Sequence, residues 1–249
     1  MMKMKKVTWT LVGILAAVTP ATQAAVALDR TRAVFNGDGK SISLNISNDN
    51  KQLPYLAQAW LEDAKQQKVT QGALVVTPPV QRLEPGAKSM LRVSATPAAA
   101  QLPQDRESLY YFNLREIPPK SDKPNTLQIA LQTRIKLFYR PSAIAPQQNA
   151  APWQEQLTLS KQGDKYVVNN PTPYYVTLVD AGARKGVAGV QGFEPLMVPP
   201  KSSAPLGVNA SALGNGPVLT YINDYGGRPQ LSFNCSGNAC QVVPEKSKS

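Results

Sequence analysis

From Thr126 to Arg140 the chain reads Thr-Leu-Gln-Ile-Ala-Leu-Gln-Thr-Arg-Ile-Lys-Leu-Phe-Tyr-Arg, with apolar residues on alternate positions. Leu127, Ile129, Leu131, Ile135 and Leu137 take the odd positions, interrupted only by Thr133. Gln128, Ala130, Gln132, Arg134 and Lys136 take the even ones until Phe138 breaks the rule. A period of two is the mark of a strand with one apolar and one polar face. It is also long, since most strands run to about five or six residues. Such a ridge has two uses. It can be a core strand of a β-sandwich, or part of it, Leu127-Ile129-Leu131, can be offered to another protein by strand addition.

The other end of the chain sets the compartment. Met1 to Lys6 hold three lysines, Val7 to Val18 form an apolar run, and Ala21-Thr22-Gln23-Ala24 places small residues at −3 and −1 of a cut after Ala24. This is the layout of a secretory signal peptide over residues 1–24. The apolar run is too short for a membrane span, and no second one follows. Removal leaves residues 25–249. Taking the three leader lysines from the 27 basic residues leaves 24 against 16 acidic, a net charge of +8. Most of that charge is scattered singly, as at Lys51, Lys65, Lys88, Lys161 and Lys185, which is the pattern of a solvated surface. It suits acidic protein partners through faster encounter. No nucleic acid partner and no membrane insertion are expected.

Two cysteines, Cys235 and Cys240, stand in the exported chain with Ser-Gly-Asn-Ala between them. An oxidising compartment favours a disulfide between them, and the turn-rich spacer lets adjacent strands meet. Closing so small a loop is worth roughly 2 kcal/mol in the chain-entropy picture. The chain has no histidine, so zinc lacks its usual ligands and neither a Ser-His-Asp nor a Cys-His arrangement can form. No phosphate-cradling glycine pattern is present. No catalytic residue, metal or cofactor is expected. Paired carboxylates for glycoside hydrolysis remain open, because such pairs come from distant positions.

Strand signals recur along the chain, punctuated by Pro, Gly and Asn. Ala33-Val34-Phe35 ends at Asn-Gly-Asp-Gly, and Ser41 to Ser47 alternates with Ile42, Leu44 and Ile46 on one face. Tyr55 to Leu61, Leu74 to Val76, Lys88 to Ser94 and Leu109 to Glu116 follow, with Thr77-Pro78-Pro79 a candidate for a cis bond. An exposed loop, Pro118 to Pro124, leads into the long strand. This spacing is that of an immunoglobulin-like sandwich. Arg140 to Asn149 reads as a linker. A second β-rich segment has strands expected at Leu157–Ser160, Tyr166–Asn169, Tyr174–Asp180, Leu219–Asp224 and Leu231–Cys235. Between them, Gly182 to Gly216 is rich in Gly, Ala, Pro and Ser and gives no clear strand. The expected fold is all-β: two immunoglobulin-like β-sandwich domains, residues 25–143 and 144–249, in an L or boomerang with a cleft between them.

Several stretches carry a family resemblance. They are Leu28-Asp29-Arg30-Thr31-Arg32-Ala33-Val34-Phe35, Ile46-Ser47-Asn48-Asp49, Leu53 to Trp60, Thr77-Pro78-Pro79 and Arg82-Leu83-Glu84-Pro85-Gly86. Tyr111-Phe112-Asn113-Leu114-Arg115-Glu116-Ile117-Pro118-Pro119 ahead of the long strand is the densest match. Asn170 to Tyr175 and Tyr221-Ile222-Asn223-Asp224-Tyr225-Gly226-Gly227 extend it into the second segment. Together they resemble the periplasmic pilus chaperones.

The resemblance implies a non-enzymatic periplasmic protein that works without ATP. It implies that Thr126–Arg140 fills the open groove of a pilus or fimbrial subunit, with Leu127, Ile129 and Leu131 as donors. Arg32 and Lys136 would hold the subunit's C-terminal carboxylate. Glu107, Arg140 and Asp224 would set the angle between the domains. The partners so implied are pilus subunits and the outer-membrane usher. Free copies pairing through their exposed strands is one way to cover an apolar edge. From another class, an exported β-sandwich adhesin or structural surface protein would use the long strand for its own core alone.

Overall fold

The computed structural model describes residues 24–244. The predicted leader lies outside these apart from Ala24.

Ten strands build the first unit: β1 (Val26–Leu28), β2 (Arg32–Asn36), β3 (Ser41–Asn48), β4 (Tyr55–Asp63), β5 (Lys68–Val69), β6 (Leu74–Thr77), β7 (Val80–Leu83), β8 (Lys88–Ala95), β9 (Ser108–Ile117) and β10 (Gln132–Arg140). One sheet runs β1-β3-β8-β6 and the other β2-β10-β9-β4-β5, with β7 beside β4. Alternating residues from the two inner faces meet in the core, where Phe35, Leu44, Leu91, Phe112 and Leu137 are fully enclosed. The Thr77–Pro78 bond is cis.

The long ridge divides in two. Only Gln132–Arg140 forms a strand, and Thr126 to Leu131 lies outside it, which corrects the expected strand of residues 126–140. The cause is the supply of partners. On one side β9 ends at Ile117, and Pro118 and Pro119 have no N–H to donate. The last rung there is the Glu116 N–H on Leu131 O at 3.0 Å. On the other side β2 runs parallel to β10 and starts at Arg32, opposite Lys136, because the preceding β1 belongs to the other sheet. The C-terminal half of the ridge is therefore core, with Ile135 and Leu137 at 6% and 0% exposure. The N-terminal half is bare: Leu127, Ile129 and Leu131 are 84%, 64% and 39% exposed. Phe138, which broke the alternation, points the other way and stacks on Tyr175 of the second unit, ring centroids 5.6 Å apart.

Eight strands form the second unit: β11 (Thr158–Gln162), β12 (Lys165–Asn170), β13 (Val176–Gly182), β14 (Leu196–Val198), β15 (Ser202–Asn209), β16 (Val218–Ile222), β17 (Gln230–Ser236) and β18 (Ala239–Val242). Their order is β14-β13-β16-β17-β18-β11-β12-β15. β17 pairs with β16 through Gln230 to Ser232 and with β18 through Phe233 to Ser236, so one strand passes between the two faces of the sandwich. Cys235 and Cys240 stand opposite each other across β17 and β18 and are joined in a disulfide. β14, β15 and the short helix Ala210–Leu213 fall in the stretch whose sequence gave no clear strand. β15 carries Pro205 and Gly207, residues that argue against a strand, yet it lies at the end of the order, where a missing donor is tolerated. Both units are immunoglobulin-like sandwiches with separate cores.

The divided ridge has a measurable consequence. Leu137→Ala is expected to cost about 2–5 kcal/mol, because it empties enclosed core. Leu127→Ala is expected to stay within about 0.5 kcal/mol of the parent. Urea unfolding of the purified variants measures both, and equal losses would contradict the division.

Candidate functional site

The two sandwiches meet at a buried guanidinium. Arg140, the last residue of β10, is 5% exposed, and Glu107, just before β9, is 3% exposed. The Arg140 Nε donates to Glu107 Oε1 at 2.8 Å, and Nη2 stands 2.7 Å from the same oxygen in an ion pair. Its Nη1 and Nη2 donate to Asp224 Oδ2 and Oδ1, at 2.8 and 3.2 Å. The second Glu107 oxygen accepts the Tyr175 N–H at 2.8 Å, and the Glu107 N–H reaches Pro173 O at 2.9 Å. The three charged residues named from the sequence are thus brought together. Burial pushes the Glu107 carboxyl up, against the Arg140 charge that favours its ionised form.

Aromatic side chains complete this joint, and sequence reasoning gave them no role. Arg140 lies over the rings of Trp153 and Tyr174, 4.9 and 5.0 Å from their centroids, and these rings are 4.5 Å apart. The Tyr174 hydroxyl donates to Ile144 O in the linker. The Pro-Tyr-Tyr run was visible as a motif, but its contact with Arg140 depends on bringing Tyr174 and Arg140 together across the domains.

Beside the joint stand Arg32 and Lys136, paired residues of β2 and β10. Arg32 is 9% exposed; its Nη1 donates to Ile222 O at 3.2 Å, and its buried Nε donates to nothing. Burial holds its guanidinium below the ordinary value, against the favourable charge of Asp224. Lys136 is half-buried, and its ammonium is lowered first by burial and then by the like charge of Arg32. Both oxygens of Asp224, the carboxylate that acts on Arg32, are taken by Arg140. Two adjacent cations are left with no carboxylate bound to them among the described residues. Such a pair is suited to an anion with several lone pairs, above all a carboxylate.

Arg32 also lines a cavity of about 570 Å³ between the units, with Arg30, Arg140, Trp153, Asp224 and Tyr225. From Lys136 the strand β10 leads back to the bare Leu131, Ile129 and Leu127. Its edge on the β2 side is unpaired until Lys136 is reached. The pair of cations therefore follows the exposed ridge along the chain, Lys136 lying in the strand that the ridge leads into.

Comparison with known proteins gives consistent matches. Residues 25–145 match the family "Pili and flagellar-assembly chaperone, PapD N-terminal domain", and residues 152–233 match "Pili assembly chaperone PapD, C-terminal domain". The chain is 59% identical over 229 residues to the chaperone protein PapD of Escherichia coli, covering 92% of this chain and 94% of that one. It is 50% identical over 239 residues to the probable fimbrial chaperone YfcS of Escherichia coli K12, covering 96% and 94%. Among solved structures it resembles the periplasmic chaperone SfaE, with a TM-score of 0.66, 31% identity and coverage of 83% and 98%. It also resembles the Salmonella enterica complex of the SafA pilin with the SafB chaperone, with a TM-score of 0.70, 26% identity and coverage of 86% and 98%.

The unpaired cations cost the free molecule stability. A base whose folded pKa is depressed is a burden while protonated, and the burden lifts only as pH rises through the lowered value. Lys136→Met, which keeps the stem and removes the like charge facing Arg32, is expected to stabilise the free chain by on the order of 0.5 kcal/mol at neutral pH. Thermal unfolding checks the sign; a fall in Tm would mean that Lys136 is compensated.

Proposed function

Because this chain belongs to the PapD family of pilus assembly chaperones, we propose that it captures pilus or fimbrial subunits in the periplasm by adding a strand to them. The observation that carries this reading is the bare ridge of Leu127, Ile129 and Leu131, adjoining two cations without a carboxylate. In this reading a subunit lacks the last strand of its own sandwich, and its core lies open as a groove. Residues 126–131 enter that groove. Alternate side chains about 6.8 Å apart fill successive pockets, and the backbone supplies the register. Burying each such side chain contributes roughly 1.5–3 kcal/mol before association costs are subtracted.

Arg32 and Lys136 fix where the subunit's strand ends. A C-terminal carboxylate accepts charge-assisted hydrogen bonds from both cations, relieving their repulsion and burial together. Anchoring that end decides which ridge residue faces which pocket. A one-residue slip would turn the ridge away from the groove, so the anchor protects specificity as well as affinity. Glu107, Arg140 and Asp224 hold the two domains in place around it. The leader of residues 1–24 delivers the chain to the periplasm. Folding help comes from the supplied strand, without ATP or any catalysed step. Release follows at the outer-membrane usher, where the next subunit's extension replaces residues 126–131. In free chains the same exposed edge can be covered by a second copy. An adhesin reading would need the ridge inside this chain's own core, and the relatives named above are chaperones.

Arg32→Ala tests the anchor. A tagged chain carrying it is expected to fold and reach the periplasm but to lose the small exported subunits that co-purify with the parent, as read by mass spectrometry. Circular dichroism establishes folding in the same samples. A folded variant that still brings the same subunits would overturn the assignment.

A further inference from the structure

Tyr225 is 97% exposed, the most exposed large apolar side chain among the described residues. It sits in the turn between β16 and β17, and that turn is stiff. Asn223 Oδ1 accepts the N–H groups of Tyr225 and Gly227, at 3.1 and 2.8 Å. The Asn223 N–H donates to Gly227 O and the Gly226 N–H to Asn223 O, both at 3.0 Å. Asp224, one residue before the tyrosine, is held by two bonds from Arg140. A bare aromatic ring on a backbone so constrained has only its two side-chain torsions left to fix on contact.

Its position is also specific. Gly226 has φ +85°, and a Cβ there would lie 3.0 Å from the Thr31 hydroxyl, so the turn of the second domain rests against the first domain one residue from Arg32. Tyr225 and Arg32 line the same cavity of about 570 Å³. A second cavity of about 420 Å³ is lined by Asp29, Arg30, Thr31, Arg32, Asp224, Tyr225 and Gly226. Lys201 and the other second-domain cations lie outside both linings. The second domain thus presents an exposed aromatic, Tyr225, beyond the more buried Trp153 and Tyr221, at the mouth of a site whose lining cations, Arg30, Arg32 and Arg140, come from the first.

We propose that Tyr225 is a specificity-determining contact for the last side chain of the bound strand: once Arg32 and Lys136 hold the carboxylate, the ring covers the terminal residue and favours a large apolar or aromatic one. This rests on the carboxylate-anchor reading above. Aromatic side chains are enriched among the residues that carry discrimination at such sites, and binding would bury this exposed ring beside the cations.

The probe is a fluorescein-labelled synthetic peptide of alternating Val and Asn, with two N-terminal lysines for solubility, ending in Phe, Leu or Gly. A fourth peptide ends in Phe carboxamide. Binding is read by fluorescence anisotropy with the full mature chain. The parent is expected to bind the Phe peptide about five- to tenfold more tightly than the Gly peptide, the scale of one aromatic contact. Tyr225→Ala is expected to erase that preference and leave the Gly peptide unchanged. Tyr225→Phe should keep it. An equal loss for all peptides would assign Tyr225 to the fold of the turn alone and overturn the proposal, as would an unchanged preference in Tyr225→Ala. If the carboxamide binds the parent as well as the free acid does, the carboxylate anchor itself fails, whatever Tyr225 does.

Discussion

Arg140 is the residue on which the arrangement depends. Its guanidinium binds Glu107 of its own domain and Asp224 of the other, and it lies against the rings of Trp153 and Tyr174. A buried network of this kind contributes little net stability, because desolvation offsets the Coulomb gain, but it can fix a geometry. Here its contacts do three things together. They bridge the second domain to the first, reach the turn that carries Tyr225 through Asp224, and occupy that carboxylate. The last effect keeps Arg32 and Lys136 without a carboxylate of their own, and so open to one from outside.

The exposed ridge has an equally simple origin. A strand needs partners on both sides to be silent; residues 126–130 have neither, and Leu131 keeps only the Glu116 N–H on its carbonyl. Two prolines end the neighbour on one flank, and the crossover of the chain between sheets delays the neighbour on the other. An unpaired apolar edge is a liability in an ordinary sandwich. Next to the two cations it becomes, in the proposed function, a template with a defined end. The free molecule therefore carries two unfavourable features, a bare ridge and two crowded cations, and in the proposed function a strand that ends in a carboxylate relieves both.

Much of this was legible in the sequence, with instructive gaps. The alternation of Leu127 to Leu137 marked the face but not the break at Gln132, because a period of two reports which way side chains point and says nothing about who pairs with them. Of the two uses weighed at the outset, the core strand holds for the C-terminal half, and the bare N-terminal half is the part that the proposed strand addition would use. Phe138 looked like an irregularity and is a contact between domains. Arg32 and Lys136 were named through a resemblance; their juxtaposition comes from a parallel pairing over more than a hundred residues, which no local pattern encodes. The strand β15 was invisible because Pro205 and Gly207 are tolerated only at a sheet edge, and edge position is a tertiary fact. Trp153 and Tyr174 were missed for the same reason.

The central claim is that residues 126–131 are unpaired in the free chain and become a strand in a partner. Amide hydrogen exchange, followed by mass spectrometry on the free chain and on its co-purified subunit complex, tests it directly. The account predicts rapid exchange from Leu127 to Ala130 in the free chain and slowing by about a hundredfold or more in the complex, the signature of new backbone hydrogen bonds. Amides in this segment that still exchange rapidly in the complex, while protection appears elsewhere, would contradict strand addition.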